Sequence, residues 1–144
     1  MKHSIAAFLA MTALATSAFA DSHTGVGDPA KGEKEFGKCK ACHMIQDADG
    51  NTIVKGGRTG PDLYGVIGRQ AGSVEDFRYG TSLIEAGDDG LVWDEETFVA
   101  YIQDPANFLK SYLDDNKARS KMSFRMRKGA ADVYAYLVSV GPQM

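Results

Sequence analysis

The chain has 144 residues, and its 16 Lys and Arg against 19 Asp and Glu leave a formal net charge of −3. This acidic balance excludes a strongly basic nucleic-acid-binding domain. The length is enough for one compact domain and not for two.

The N-terminus has the pattern of a secretory signal peptide. A short basic start precedes an apolar, alanine-rich run at residues 5–18, and Ala18-Phe19-Ala20 fits a small-x-small cleavage site. Because the apolar run is short for a membrane span, we favour cleavage over an uncleaved anchor. We therefore predict a signal peptide over 1–20 and one mature domain over 21–144, located in the periplasm. Cleavage would remove Lys2 and no acidic residue, so the net charge of the mature domain would be −4.

Helical patterns dominate the rest of the chain. Asp28-Pro29 predicts an N-cap followed by proline at the first helical position, in a helix that runs through Phe36 to about Cys42. Residues 47–72 are rich in Gly, Asp and Asn and are predicted to be a loop. The apolar residues at 83, 84 and 86 predict a short helix that Gly87 stops.

Two clearer helices follow. Asp94 is predicted to cap a helix that has apolar residues on one face and ends before Pro105. The final helix is predicted to begin after Gly129 and to stop at Gly141-Pro142. Its apolar residues recur at i, i+3, i+4 and i+7, namely Val133, Tyr136, Leu137 and Val140. No convincing alternating strand pattern is present, so the predicted fold class is all-α.

The motif Cys39-Lys40-Ala41-Cys42-His43 uses both cysteines of the chain and places a histidine directly after them. Two thiols at this spacing can each add across a vinyl group of haem, and the adjacent imidazole can bind the iron. The spacing is the known signal for c-type haem attachment. It is specific enough to predict a covalently bound haem c.

Three other interpretations of the motif are weaker. A thiol–disulfide redox site usually lies in a thioredoxin-like βαβ context, and no such strand pattern precedes Cys39. A structural zinc site needs four ligands, and only Cys39, Cys42 and His43 are close in sequence. A structural disulfide at this separation is sterically awkward and leaves His43 unexplained.

The residues alone leave the second iron ligand open. The predicted mature chain offers His23 and four methionines, of which Met44 directly follows His43 and Met144 is terminal. Met122 and Met126 lie in one basic segment before the last helix, and composition does not separate them.

The chain resembles the class I c-type cytochromes, and more narrowly the long bacterial cytochromes c2. The resemblance covers residues 27–140 in the right order. It rests on the first helix with the haem motif, a Gly-Pro-x-Leu-x-Gly loop, the middle helix and a distal-ligand segment. These are residues 27–36 with 39–43, residues 59–69, residues 93–97 with Tyr101, and Lys121-Met122-Ser123-Phe124.

The resemblance implies the roles of the site residues. Cys39 and Cys42 would bind one haem c covalently, with His43 and Met122 as the axial ligands that raise the reduction potential. Pro61 would accept a hydrogen bond from the other nitrogen of His43. The haem propionates would be bound by Arg69, Tyr79 and Trp93, Tyr101 would lie near the Met122 sulfur, and Gly32 and Phe36 would pack against Tyr136.

The resemblance also implies the function, a soluble periplasmic carrier of one electron and not an enzyme. Two filled axial positions leave no site on the iron for oxygen or peroxide. The family implies a cytochrome bc complex as donor and a photosynthetic reaction centre, oxidase or denitrification enzyme as acceptor, with the carrier a monomer. The alternatives are a haem-based ligand sensor or small peroxidase with a displaceable Met122, and more distantly a thiol oxidoreductase.

Two features depart from the short mitochondrial pattern and match the long cytochromes c2. Residues 46–57 form a longer loop, and residues 108–119 are an insertion before Met122.

Basic residues flank the haem motifs although the chain is acidic, so we predict a lysine-rich haem edge that docks on membrane-bound redox complexes. They are Lys38, Lys40, Lys55, Arg58, Lys110, Lys117, Arg119, Lys121, Arg125, Arg127 and Lys128.

Overall fold

The computed structural model describes residues 27–142, so the predicted signal peptide lies outside the described residues. The described part is helical with long loops, which confirms the predicted class. No helix within residues 27–142 is long and apolar enough to cross a membrane.

The helices are α1 (Pro29–Glu35), α2 (Thr81–Asp88), α3 (Glu95–Gln103), α4 (Pro105–Tyr112) and α5 (Ala130–Val140). A 3₁₀ helix lies at Phe36–Lys38, and the strands are β1 (Ile45–Gln46) and β2 (Thr52–Val54).

The first and last helices cross at close range and support one side of the fold. The Asp28 side chain caps α1 by accepting from the backbone N–H of Ala30 at 2.9 Å, and the Asp28 N–H donates to the Asp132 carboxylate at 2.8 Å. The Phe36 ring, fully buried, lies 5.6 Å from the Tyr136 ring. The predicted packing of Gly32 and Phe36 against Tyr136 is therefore present in the structure.

Gly32 allows this crossing because a side chain at that position has no space. A Cβ on Gly32 would lie 1.9 Å from the Asp132 carbonyl oxygen and 2.7 Å from the Tyr136 Cβ. We expect Gly32→Ala to lower the free energy of unfolding by about 3 kcal/mol, at the upper end of the cost of overpacking. Urea titration of the holoprotein measures this change.

Gly37→Ala is the matched control, because a Cβ at Gly37 would meet nothing within 4 Å. It should leave stability unchanged or raise it by roughly 0.4–1 kcal/mol through the lower entropy of the unfolded chain. An equal loss of stability in both variants would contradict the close-approach role of Gly32.

The first helix is shorter than predicted. The α-helix ends at Glu35, and the chain tightens into the 3₁₀ helix before it reaches Cys39. Gly37 directly follows the C-cap residue Phe36, but the sequence interpretation did not use it as a stop signal. The turn beyond still has helix-type hydrogen bonds, from the N–H groups of Cys42 and His43 to the Cys39 carbonyl at 3.1 and 2.9 Å.

The predicted loop at 47–72 contains part of a small antiparallel hairpin. Ile45 pairs with Val54 and Gln46 with Thr52, with an irregularity between them. The turn is closed by Asp47, whose carboxylate accepts from the Asn51 backbone N–H at 2.8 Å. Strands of two and three residues are too short to show the alternation that identifies a strand in a sequence.

The middle helices agree with the prediction in part. Helix α2 runs past Gly87 to Asp88, so Gly87 does not stop it. Helix α3 begins as predicted, with a reciprocal capping box between Asp94 and Thr97. Pro105 follows the end of α3 and also opens α4, which the sequence interpretation missed.

Candidate haem site

All nine predicted site residues line one cavity of about 490 Å³. This volume is within the usual range for a small-molecule or cofactor site. The residues come from the turn after the first helix, the loop before α2, the segment between α2 and α3, helix α3 and the segment before α5. They are Cys39, Cys42, His43, Pro61, Arg69, Tyr79, Trp93, Tyr101 and Met122.

The two cysteines lie at the cavity wall and form no disulfide with each other, with Cys39 half-buried and Cys42 exposed. Burial raises the pKa of the Cys39 thiol to about 11, although Lys38 opposes the shift. A reactive redox cysteine has a lowered pKa, since the thiolate is the nucleophile. The Cys39 environment therefore does not fit the thiol oxidoreductase interpretation, whereas both thiols face the space that a haem would need.

His43 is held in one orientation by the loop that follows the hairpin. Its Nδ1 lies 2.8 Å from the Pro61 carbonyl oxygen. Because a carbonyl only accepts, Nδ1 carries the proton and Nε2 retains the lone pair that a metal requires. Burial lowers the pKa of His43, with the Pro61 hydrogen bond and Asp62 acting against the shift, so the neutral imidazole is favoured.

Gly60 packs directly on the His43 ring. A Cβ at Gly60 would lie 2.3 Å from His43 Cε1, and the Gly60 N–H donates to the Cys42 carbonyl at 2.8 Å. Position 60 therefore requires glycine. The Gly60 backbone restricts the His43 ring in addition to the hydrogen bond to Pro61. The Gly-rich composition of the loop was visible in the sequence, but not this contact.

Asp62 holds the loop that carries the Pro61 carbonyl. Its half-buried carboxylate accepts from the Gln46 N–H at 3.0 Å and from the Tyr64 N–H at 2.7 Å. We expect Asp62→Ala to lower the free energy of unfolding by about 2–3 kcal/mol, because charge-assisted hydrogen bonds are lost and their donors are left unpaired. Urea titration of the holoprotein measures the loss.

Asp49→Ala is the control for Asp62, since Asp49 is an exposed aspartate in the nearby hairpin turn. It should change stability by no more than about 0.5 kcal/mol. Equal effects of the two substitutions would argue against a supporting role for the Asp62 carboxylate.

Arg69 and Tyr79 place polar groups on the cavity wall. The Arg69 guanidinium donates to the carbonyls of Tyr64 at 3.1 Å and Asp62 at 2.9 Å. Burial lowers the pKa of Arg69, and burial raises that of Tyr79. A guanidinium has five N–H donors, so groups beyond those two bonds remain for an anionic ligand.

Trp93 and Tyr101 form the aromatic wall, with ring centroids 4.9 Å apart. The Tyr101 hydroxyl lies 3.3 Å from the Ser120 hydroxyl oxygen, which accepts from the Met122 N–H at 3.1 Å. Ser120 therefore links helix α3 to the segment that carries Met122. The sequence interpretation missed this residue, because a serine in a polar segment has no distinguishing pattern.

The two methionines that composition does not separate differ in burial. Met126 is 2 % exposed, and its N–H donates to the Ile102 carbonyl at 2.8 Å, so it belongs to the protein core. Met122 is half-buried and packs against the core from the cavity. Met122 is therefore the more exposed of the two residues, although both line the cavity.

The charged residues that line the cavity are all basic. They include Arg78, which the sequence interpretation did not select, and no Asp or Glu contributes to the lining. The Lys121 ammonium donates to the Arg78 carbonyl at 2.9 Å, which ties the Met122 segment to the segment before α2. The five cations are Lys38, Arg69, Arg78, Arg119 and Lys121.

No protein-family model matches the chain. Known proteins nevertheless resemble it over nearly its whole length. Cytochrome c-551 of Roseobacter denitrificans is 55% identical over 140 residues, which is 97% of this chain and 96% of that protein. Cytochrome c2 of Rhodobacter capsulatus is 52% identical over 135 residues, 94% of each chain. The chain belongs to the cytochrome c2 family.

The solved structures agree with this assignment. The structure of cytochrome c2 from Rhodobacter capsulatus superposes with a TM-score of 0.78 at 54% identity, covering 79% of this chain and 98% of that one. Membership of the family establishes that the cytochrome carries one covalently bound haem c and functions as an electron carrier. The predicted cofactor and the predicted function are both confirmed.

The described residues fit a haem by the chemistry of their donor set. The cavity provides two thiols, an imidazole with a free Nε2, a thioether and cations for the propionates, in otherwise largely apolar surroundings. When bound, the haem supplies the Fe(II)/Fe(III) couple that carries one electron.

Proposed function

We propose that the cytochrome is a periplasmic one-electron carrier whose haem is attached through Cys39 and Cys42 and ligated by His43 and Met122. The observation that carries the proposal is that these four side chains line one cavity, although up to 83 positions separate them in sequence. The Pro61 carbonyl supports the His43 assignment, since it leaves Nε2 as the free nitrogen. A soft thioether favours the ferrous state and so a high potential.

The remaining cavity residues have supporting roles in this proposal. Arg69, Tyr79 and Trp93 bind the haem propionates, which would otherwise bring unpaired charge into a site of low dielectric constant. Tyr101 and its hydrogen-bonded partner Ser120 hold the segment that carries Met122. With both axial positions filled by protein, the iron has no open site, so transfer of single electrons is the role that remains.

The carrier accepts electrons from a cytochrome bc complex and passes them to a membrane-bound acceptor such as a reaction centre, an oxidase or a denitrification enzyme. Docking uses the basic rim of the cavity, because its exposed cations contrast with the net charge of −3 of the whole chain. Charge complementarity raises association rates while a small interface keeps the complex short-lived.

Charge reversal tests this docking surface. Arg119→Glu, at the cavity rim, should lower the association rate with a purified cytochrome bc complex by about tenfold at low salt, the lower end of electrostatic steering. Stopped-flow reduction kinetics measure the rate. Arg119 is preferred to Lys121, whose ammonium also holds the Arg78 carbonyl.

Lys34→Glu is the matched control, because Lys34 is also exposed but lies on α1, outside the cavity lining. The difference between the two variants should shrink toward physiological ionic strength, where the Debye length is about 8 Å. Equal rates for the two variants, or a wild-type rate insensitive to salt, would count against docking at the basic rim.

A further inference from the structure

Asp62 is bonded to the backbone on which two cavity residues depend. It directly follows Pro61, whose carbonyl accepts from His43 Nδ1 at 2.8 Å. Its own carbonyl accepts from the Arg69 guanidinium at 2.9 Å. Pro61, His43 and Arg69 line the haem cavity, whereas Asp62 is not among the lining residues. Asp62 is therefore placed to act on the cavity through His43 and Arg69 rather than by contact with the cofactor.

The Asp62 carboxylate is a negative charge held in one position. It is half-buried and accepts from the Gln46 N–H at 3.0 Å and from the Tyr64 N–H at 2.7 Å. Within residues 27–142 no salt bridge joins this carboxylate to a lysine or an arginine. A half-buried charge without an ion-pair partner acts more strongly on its surroundings than an exposed one, because less water screens it.

The charge acts on the imidazole and on the guanidinium in the same sense. Burial lowers the pKa of His43 and that of Arg69, and the negative charge of Asp62 opposes the shift at both residues. A charge that favours a positive imidazole also favours the more positive, ferric state of an iron bound to that imidazole. At Arg69 the same charge offsets part of a positive charge that favours the ferrous state.

We propose that Asp62 is a positioning residue whose negative charge lowers the reduction potential of the haem through His43 and Arg69. The thioether of Met122 favours the ferrous state and raises the potential. The charge of Asp62 acts in the opposite direction, so the potential lies below the value that the axial ligands alone would give. Asp62 therefore helps to determine which acceptors the cytochrome can reduce.

Three substitutions separate the charge of Asp62 from its hydrogen bonds. Asp62→Asn removes the charge but keeps the size and an acceptor oxygen. Asp62→Glu keeps the charge, but its longer side chain disturbs the bonds to the two N–H groups. Asp49→Asn is the matched control, because it removes the same charge from an exposed position in the hairpin turn. Spectroelectrochemistry at low ionic strength gives the potential, and urea titration gives the stability of each holoprotein.

We expect Asp62→Asn to raise the potential. At the solution potential that half-reduces the wild type, its ratio of ferrous to ferric protein should be about fivefold higher, the size of a nearby, partly screened charge. Asp62→Glu should lose stability but keep the wild-type potential, and Asp49→Asn should change neither. An unchanged or lower potential in Asp62→Asn, or an equal rise in either of the other variants, would overturn the proposal.

The inference rests on His43 and Met122 binding the haem iron as proposed above. Failure of that ligation would appear separately in the wild type, as high-spin protein or as protein without covalent haem. A wild type with low-spin, covalently bound haem whose potential does not respond to Asp62→Asn would reject the role of Asp62 alone.

Discussion

Met122→Leu should produce a cytochrome that binds carbon monoxide and has a lower reduction potential. Leucine has a similar volume but no sulfur, so the substitution removes the proposed distal ligand with little change in packing. We expect the potential to fall by on the order of 0.1 V or more, within the roughly 0.8 V that axial ligands span. Spectroelectrochemistry gives the potential, and the difference spectrum with carbon monoxide reports the open position.

Met126→Leu is the matched control, because it removes the other methionine that lines the cavity. Its backbone N–H still donates to Ile102, and its side chain stays in the core. We expect an unchanged potential and no binding of carbon monoxide. The reverse pattern, with Met126→Leu as the low-potential form, would show that the distal ligand is assigned to the wrong methionine.

Replacing both cysteines should have the largest effect on the protein itself. In Cys39→Ala/Cys42→Ala no thioether can form, so acid–acetone extraction should remove all haem, whereas each single substitution should leave at most one bond. The cavity of about 490 Å³ would then be empty whenever haem dissociates, and this lowers the stability of a domain of this size. Intact mass under denaturing conditions and haem staining on a gel measure the attachment.

Lys40→Ala is the control within the same motif, because Lys40 is exposed between the two cysteines. It should retain haem through both bonds. Recovery of covalently loaded protein from the double cysteine variant would refute the proposed attachment site.

Local signals predicted the starts of helices better than their ends. A capping or turn residue affects only the first turn of the helix that follows it. Helices α1, α3 and α5 begin next to such residues, namely Asp28-Pro29, Asp94 and Gly129. The end of α1 was predicted too late, because Gly37 was not interpreted as a stop. Helix α4 was missed because Pro105 was interpreted only as a stop, yet Asp104-Pro105 repeats the pattern of Asp28-Pro29.

The candidate site was predictable where a motif names its residues and not where it depends on contacts. The motif predicted Cys39, Cys42 and His43 directly, whereas Met122 was preferred to Met126 only on the resemblance. Segments that are distant in sequence are joined by the contacts of Ser120 with Tyr101, of Arg78 with Lys121 and of Gly60 with His43. No local pattern distinguishes such residues from other polar or glycine positions in loops.

The distal ligand is tested most directly by NMR of the reduced holoprotein labelled with [methyl-¹³C]methionine. A methionine bound to the haem iron lies over the ring, so the ring current moves its methyl resonance far upfield. We predict one such resonance, absent in Met122→Leu and retained in Met126→Leu. A spectrum without an upfield methionine methyl, or one that loses it in Met126→Leu instead, would contradict ligation by His43 and Met122.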